Sequence, residues 1–335
     1  MASVTILGDG GWGTAFALTA LNQKHNVTIW GAFPEYIEEV RNTRINKKYL
    51  DGITIPPEIN YETDILKAVQ DADLIVNAAP AQWVRSVFEK LRDKGFKGGY
   101  IVSLTKGLEN ESFKRPSEII TELIMPDAVA AVSGPSHAEE VAKKLPASVV
   151  AASTDIEFAE RVQEAFSSEY FRIYSDDDII GVEIAGALKN VIAIAGGMCD
   201  GLELGDNAKS ALVARGIVEI SRLGVHVGAQ PATFYGLSGI GDLITTCYSG
   251  FGRNRSVGVR VSRGETIQDI LDNMEQVAEG VWTVKSVVPF AEKLGISMPI
   301  SKEVYNILFN GKPPMEAVQA LMSRNYKQEK EEWVD

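Results

Sequence analysis

The stretch VTILGDGGWGTAFA, residues 4–17, decides how the chain is read. A β-branched apolar run gives way to Gly8, Gly10 and Gly13 in G-x-G-x-x-G register, and an alanine-rich helical pattern follows. Glycines at this spacing mean little alone; a strand before them and a helix after them make a dinucleotide-binding turn. Gly8 permits the tight turn, Gly10 lets backbone approach a pyrophosphate, and Gly13 allows close helix–strand packing. The helix N-terminus then offers N–H groups and a partial positive charge to the phosphates. After the next strand candidate the chain reads Trp30, Gly31, Ala32, Phe33, Pro34. It has neither the acidic residue usual there for NAD nor the arginine usual for NADP. Glu35, Arg41 and Arg44 lie further along, so NAD and NADP both stay open.

Outward from this turn, β-branched runs alternate with amphipathic stretches. Strand candidates are VTIL (4–7), NVTIW (26–30), ADLIVNAAP (72–80), YIVSLTK (100–106), AVAAVSG (128–134), SVVAAS (148–153) and FRIYS (171–175). Helical patterns at 14–24 and 81–95 fall between them. Such alternation predicts an α/β domain, a Rossmann-like doubly wound and mostly parallel sheet, over residues 1–178. Beyond it, residues 177–197, 210–224, 266–280, 283–295 and 299–311 repeat apolar residues every three or four positions, most of them closing near glycine. Residues 179–335 are therefore expected to form an all-α domain, ending in a frayed helix terminus at KQEKEEWVD (327–335).

The formal net charge of −12 argues against affinity for nucleic acid or anionic membrane. Two cysteines, Cys199 and Cys247, fit a reducing cytoplasm with no disulfide framework and no metal-ligand spacing. The start MASVTILGDG runs straight into a strand, without the basic and apolar regions of a secretory leader. The longest apolar stretch, near 182–198, carries Glu183, Lys189 and Asn190 and is not expected to cross a membrane.

Polar residues in glycine-rich company are the site candidates. In GALKNVIAIAGG (186–197), Lys189 sits in a segment that otherwise reads as core. A buried ammonium must find a partner or lose its charge. It either snorkels to a nearby surface or serves as a positioned acid/base. Lys106 follows a strand, where open α/β sheets face their ligands, though a plain surface lysine fits too. Ser136, after Gly134, is open to helix capping, crevice lining or both. Asp242 is likewise open between capping and chemistry, while Arg253 and Asn254 in a glycine-rich loop suit a phosphate.

Taken together these segments resemble the bacterial type of the NAD(P)-dependent glycerol-3-phosphate dehydrogenase family over essentially the whole chain. The family's G-x-G-x-W-G-T-A is matched by Gly8 to Ala15, its "KG" by Lys106-Gly107, and its SGPS-x-A-E-E by Ser133 to Glu140. Its "LKN" lysine is matched by Lys189, and its G-x-G-D-L-x-x-T-C segment through R-N by Gly239 to Asn254. Glu279-Gly280 and the "MPI" of Met298 to Ile300 complete the order.

The resemblance implies reversible hydride transfer between NAD(P)H and dihydroxyacetone phosphate, giving glycerol 3-phosphate for glycerophospholipid synthesis. It implies that Lys189 is the general acid/base, its pKa drawn towards working pH by apolar surroundings. Asp242 is implied to pair with it and Lys106 to give a second donor to the substrate oxygens. Cofactor contacts fall on Gly8, Gly10, Gly11, Trp12, Gly13, Lys106, Ala138, Arg253, Val277 and Glu279. Substrate contacts fall on Lys106, Gly134, Ser136, Lys189, Asp242, Gly252, Arg253 and Asn254. A cytoplasmic homodimer joined through the second domain is also implied.

Three departures stand out. Gly252 replaces a usual Ser, Gly11 stands where Ser is frequent, and Ala32 replaces the Arg or His near an adenosine 2′-phosphate. The rival readings are a two-domain dehydrogenase for another hydroxy acid or sugar acid, and a dinucleotide-sensing protein without turnover. The sensor would not need Lys106, Lys189 and Asp242 together.

Overall fold

Alternation along the first strand sets the layers of the sheet. Val4 and Ile6 point to one face and join Phe16 and Ala17, whereas Leu7 joins Phe88 and Leu91 in a separate cluster. The computed structural model describes residues 1–274, 276–326, 328 and 329. Its residues fall into two compact units. The first is Met1–Lys106 with Arg115–Ile179; the second joins Gly107–Lys114 to the chain from Ile180 onward.

The first unit is built on an eight-stranded sheet among the described residues. Its strands are β1 (Ser3–Leu7), β2 (Asn26–Trp30), β3 (Asn60–Glu62), β4 (Leu74–Asn77), β5 (Tyr100–Ser103), β6 (Ala128–Ser133), β7 (Ala147–Ala152) and β8 (Phe171–Asp176). The order is β3-β2-β1-β4-β5-β6-β7-β8. All neighbours run parallel except β6 and β7. The chain reverses direction across the sheet between β1 and β4, which opens a crevice at their carboxyl ends. β3 has no counterpart among the strand candidates, because three residues at a sheet edge show no period to detect.

The second unit is helical, with no strand among its described residues. Its centre is the helix Ile179–Gly201, long and apolar enough to cross a membrane by composition, yet 94% buried over that window inside the protein. The Arg253–Ser262 helix crosses it so closely that side chains are excluded at the contact. A Cβ on Gly258 would lie 1.9 Å from the Ile194 carbonyl oxygen, and one on Gly197 2.0 Å from that of Arg255. The stretch 266–280 is not one helix. The Ile267–Asp272 helix stops at Asn273, whose side-chain amide donates to the Asp269 carbonyl, and the next helix starts at Glu279. The terminal KQEKEEWVD stretch lies almost wholly outside the described residues.

One buried carboxyl anchors the last helices. Glu219 accepts from the backbone N–H groups of Ile300 and Ser301 and from the Ser301 hydroxyl, capping the Pro299–Asn310 helix. Burial pushes its pKa up to about 7, opposed by those hydrogen bonds.

Candidate functional site

In the first unit the glycine turn follows β1 at the crevice. Gly8 has φ +129°, and a Cβ there would lie 2.8 Å from the Ala78 backbone after β4. A Cβ on Gly13 would lie 2.2 Å from the Gly8 carbonyl oxygen, so turn and helix are locked by the absence of side chains. Gly10 caps the Gly11–Asn22 helix, and a Cβ on it would meet nothing within 4 Å. The turn is thus open at Gly10, at the N-terminus of the helix. A Cβ on Gly11 would lie 2.5 Å from the Tyr49 carbonyl oxygen, which explains glycine where serine is frequent. Trp12 packs its ring on Phe16 and Phe171, at centroid distances of 6.0 and 6.2 Å. Ala138 opens the Ala138–Ala142 helix beside this turn, 3.7 Å from the position of a Cβ on Gly11.

Lys106 lies three residues past β5, and its Nζ donates to the Gly134 carbonyl at 3.0 Å. Ser136 Oγ is 3.5 Å from the same Nζ and donates to the Gly134 carbonyl at 2.8 Å. Gly134, at φ +142°, is pressed against Val149, where a Cβ would come within 2.8 Å of its Cα. The capping expectation for Ser136 is corrected here. His137 holds the N-cap position of the Ala138–Ala142 helix, and the Ser136 hydroxyl turns back towards Gly134 and Lys106.

In the second unit the question raised by Lys189 has a geometric answer. Lys189 is 6% exposed, and its Nζ lies 2.5 Å from Asp242 Oδ1 and 2.7 Å from Thr246 Oγ1. The snorkelling reading fails, since the ammonium ends inside, on an aspartate that is 1% exposed. Asp242 starts the Asp242–Tyr248 helix but does not cap it through its side chain; Gly241 is the N-cap. Thr246, one turn on, donates to the Asp242 carbonyl at 2.7 Å and so keeps a lone pair on the lysine. Thr246 was not singled out in the sequence. The signal was its i+4 spacing from Asp242 on a helix, which puts both on one face.

A second polar chain runs beside the first. Asn254 donates through Nδ2 to Asn190 Oδ1 at 2.9 Å and accepts at Oδ1 from the Gly280 N–H at 2.9 Å. It therefore ties the lysine-bearing helix to the start of the Glu279–Leu294 helix, and Nδ2 carries one further proton. Arg253 donates to the Val277 carbonyl at 3.1 Å through one of its five N–H groups. Gly252 is the N-cap residue of the Arg253–Ser262 helix. A Cβ there would meet the Thr246 carbonyl oxygen at 3.1 Å, a tight fit for the serine that the resemblance leads one to expect.

Comparison with known proteins follows the same two halves. The family model described as NAD-dependent glycerol-3-phosphate dehydrogenase N-terminus matches residues 3–159, and the C-terminus model matches 178–319. A glycerol-3-phosphate dehydrogenase [NAD(P)+] of Lysinibacillus sphaericus is 47% identical over 335 residues, covering 99% of both chains. One of Chlorobium phaeobacteroides is 46% identical, covering 97% of this chain and 98% of its own. A crystal structure of glycerol-3-phosphate dehydrogenase from Coxiella burnetii superposes with a TM-score of 0.93 at 33% identity, over 96% of this chain and 99% of that one.

Proposed function

Since the chain belongs to the NAD-dependent glycerol-3-phosphate dehydrogenase family, we propose that the glycine turn of its first unit holds the dinucleotide and that Lys189 of its second unit moves the proton. The chain is an NAD(P)-dependent oxidoreductase acting on a CH–OH donor, interconverting glycerol 3-phosphate and dihydroxyacetone phosphate. The observation that carries the site assignment is the buried Lys189–Asp242 pair with Thr246.

Bound NAD(P) supplies the hydride acceptor in one direction and the hydride donor in the other. Lys189 handles the proton. In reduction its ammonium polarises the substrate ketone and gives a proton to that oxygen; in oxidation the amine takes the proton from the secondary hydroxyl. Asp242 and Thr246 both accept from Nζ, which holds the ammonium in place. Asp242 also offsets the cost of burying the ammonium. Arg253, with Asn254 beside it, suits the substrate phosphate, and grip on that remote group positions the reacting carbon. By the family resemblance, Lys106, Gly134 and Ser136 of the first unit are further candidates for contacts to substrate.

A cytoplasmic homodimer supplying glycerophospholipid synthesis belongs to the same proposal, and the free thiols of Cys199 and Cys247 agree with a reducing compartment. The test is the absorbance of NADH, then NADPH, on adding dihydroxyacetone phosphate to purified protein. Rapid loss with either is expected. Binding of cofactor without any loss would sink the substrate assignment and point to the sensing protein.

A further inference from the structure

The end of β2 carries Gly31, Ala32 and Phe33, none of which can accept a hydrogen bond through its side chain or pair with an anion. The space beside Gly31 is nevertheless filled. A Cβ on Gly31 would lie 2.5 Å from Ile37 Cδ1 and 2.8 Å from Asp9 Cγ, so the carboxyl of Asp9, from the slot between Gly8 and Gly10, borders the place a side chain of residue 31 would take. Its main chain is held there: Asn46 Nδ2 donates to the Asp9 carbonyl at 2.7 Å, and Tyr36 holds Asn46 in turn at 2.7 Å. Asp9 Oδ2 is buried and has no hydrogen-bond partner among the described residues. A buried carboxylate oxygen without a donor is costly, and the nearest compensation would be a hydroxyl brought by a ligand.

We propose that Asp9 selects NAD(H) over NADP(H): its carboxylate replaces the acidic residue that β2 lacks, accepting a hydrogen bond from the adenosine ribose 2′-hydroxyl and repelling a 2′-phosphate. The proposal rests on the dinucleotide reading of the glycine turn. Charge complementarity runs the same way. Burial pushes the Asp9 carboxyl up from its ordinary range, opposed by its own backbone N–H and by the Lys48 cation. With Asp9 ionised, Lys48 is already matched by an anion; with Asp9 neutralised, the same lysine would favour an added phosphate.

The experiment is calorimetric titration of NADH and NADPH, without substrate, into the wild type and the Asp9→Asn and Asp9→Ser variants, each checked for folding by thermal unfolding. Hydrogen bonds to charged groups predict that the wild type binds NADH about tenfold or more tighter than NADPH. Both variants should weaken NADH, strengthen NADPH and bring the ratio to within about threefold. NADH lacking the adenosine 2′-hydroxyl should bind the wild type about tenfold more weakly but Asp9→Asn nearly as well as NADH itself. A wild type that prefers NADPH, or a ratio that both folded variants leave unchanged, would overturn the proposal while the dinucleotide site stands. Absence of binding by either cofactor would remove both.

Discussion

Lys189 and Lys209 both lie buried in the helical unit, and each meets an aspartate, Asp242 at 2.5 Å and Asp200 at 2.7 Å. Their remaining partners differ. Lys209 grips both oxygens of Asp200, at 2.7 and 2.8 Å, and lies 4.4 Å from the centre of the Tyr248 ring. Asp200 also takes Arg255 Nε at 2.5 Å, so one carboxylate joins the Ile179–Gly201, Gly205–His226 and Arg253–Ser262 helices. Every neighbour of Lys209 holds its charge in place, and the cluster works as a clamp. Lys189 touches one oxygen of Asp242 and the neutral hydroxyl of Thr246. The same pairing thus sits in two settings, a two-oxygen grip shared with an arginine at Lys209 and a carboxylate with a hydroxyl at Lys189. Pair chemistry alone does not assign a role; the kind of group that shares each lysine with its aspartate, a tyrosine ring for Lys209 and a threonine hydroxyl for Lys189, bears on it as well.

The largest effect should come from breaking the first pair. Lys189→Met should lower kcat by about a thousandfold or more, through loss of the proton-transfer group, with NADH binding nearly unchanged. Because Asp242 would be left buried without its lysine, stability should fall by about 3–5 kcal/mol, read from urea unfolding. Adding Asp242→Asn to this variant should recover most of that stability and none of the activity. Recovery of turnover in the double variant, or near-normal turnover in the single one, would end the acid/base assignment.

Much of this contrast was legible in the sequence, and unevenly so. The glycine turn could be read because its logic is local, with strand, three glycines and helix falling within residues 4–17. Seven strands showed themselves as β-branched runs; β3, three residues long, had nothing to show. The false continuity through residues 266–280 arose because Ile270, Leu271, Met274 and Ala278 all face one core, whether or not a helix joins them. At the site, Lys189 stands out as a charge among aliphatics and Asp242 as an acid in a glycine-rich segment, while their pairing comes only through family resemblance. Their contact spans 53 positions and is a product of the fold. Thr246 and Asp9 escaped for the same reason. Each is an ordinary residue whose partner is fixed only in three dimensions.

Breaking the clamp should give a smaller and different result. Lys209→Met leaves Asp200 still paired with Arg255 and partly open to water, at 24% side-chain exposure. The expected loss of stability is about 1–2 kcal/mol, below the cost for a sealed pair. Activity should stay within about threefold of wild type once the protein is folded, since nothing in the proton path has changed. A kcat loss comparable to that of Lys189→Met, in a variant with native unfolding behaviour, would erase the distinction between clamp and catalyst.

The finest division lies between the two partners that aim Lys189. Thr246→Val keeps the shape and removes the hydroxyl, so Nζ loses one acceptor while Asp242 retains the charge. A hydrogen bond to a charged group predicts a fall in kcat of about tenfold, with the KM for dihydroxyacetone phosphate little moved. Thr246→Ser restores the hydroxyl without the methyl and should return kcat to within about threefold of wild type. A purely structural role would show the reverse pattern, with Val tolerated because it fills the space and Ser damaging because it leaves a gap. Steady-state kinetics on the two variants therefore tells whether Thr246 directs the Lys189 ammonium or only packs beside it.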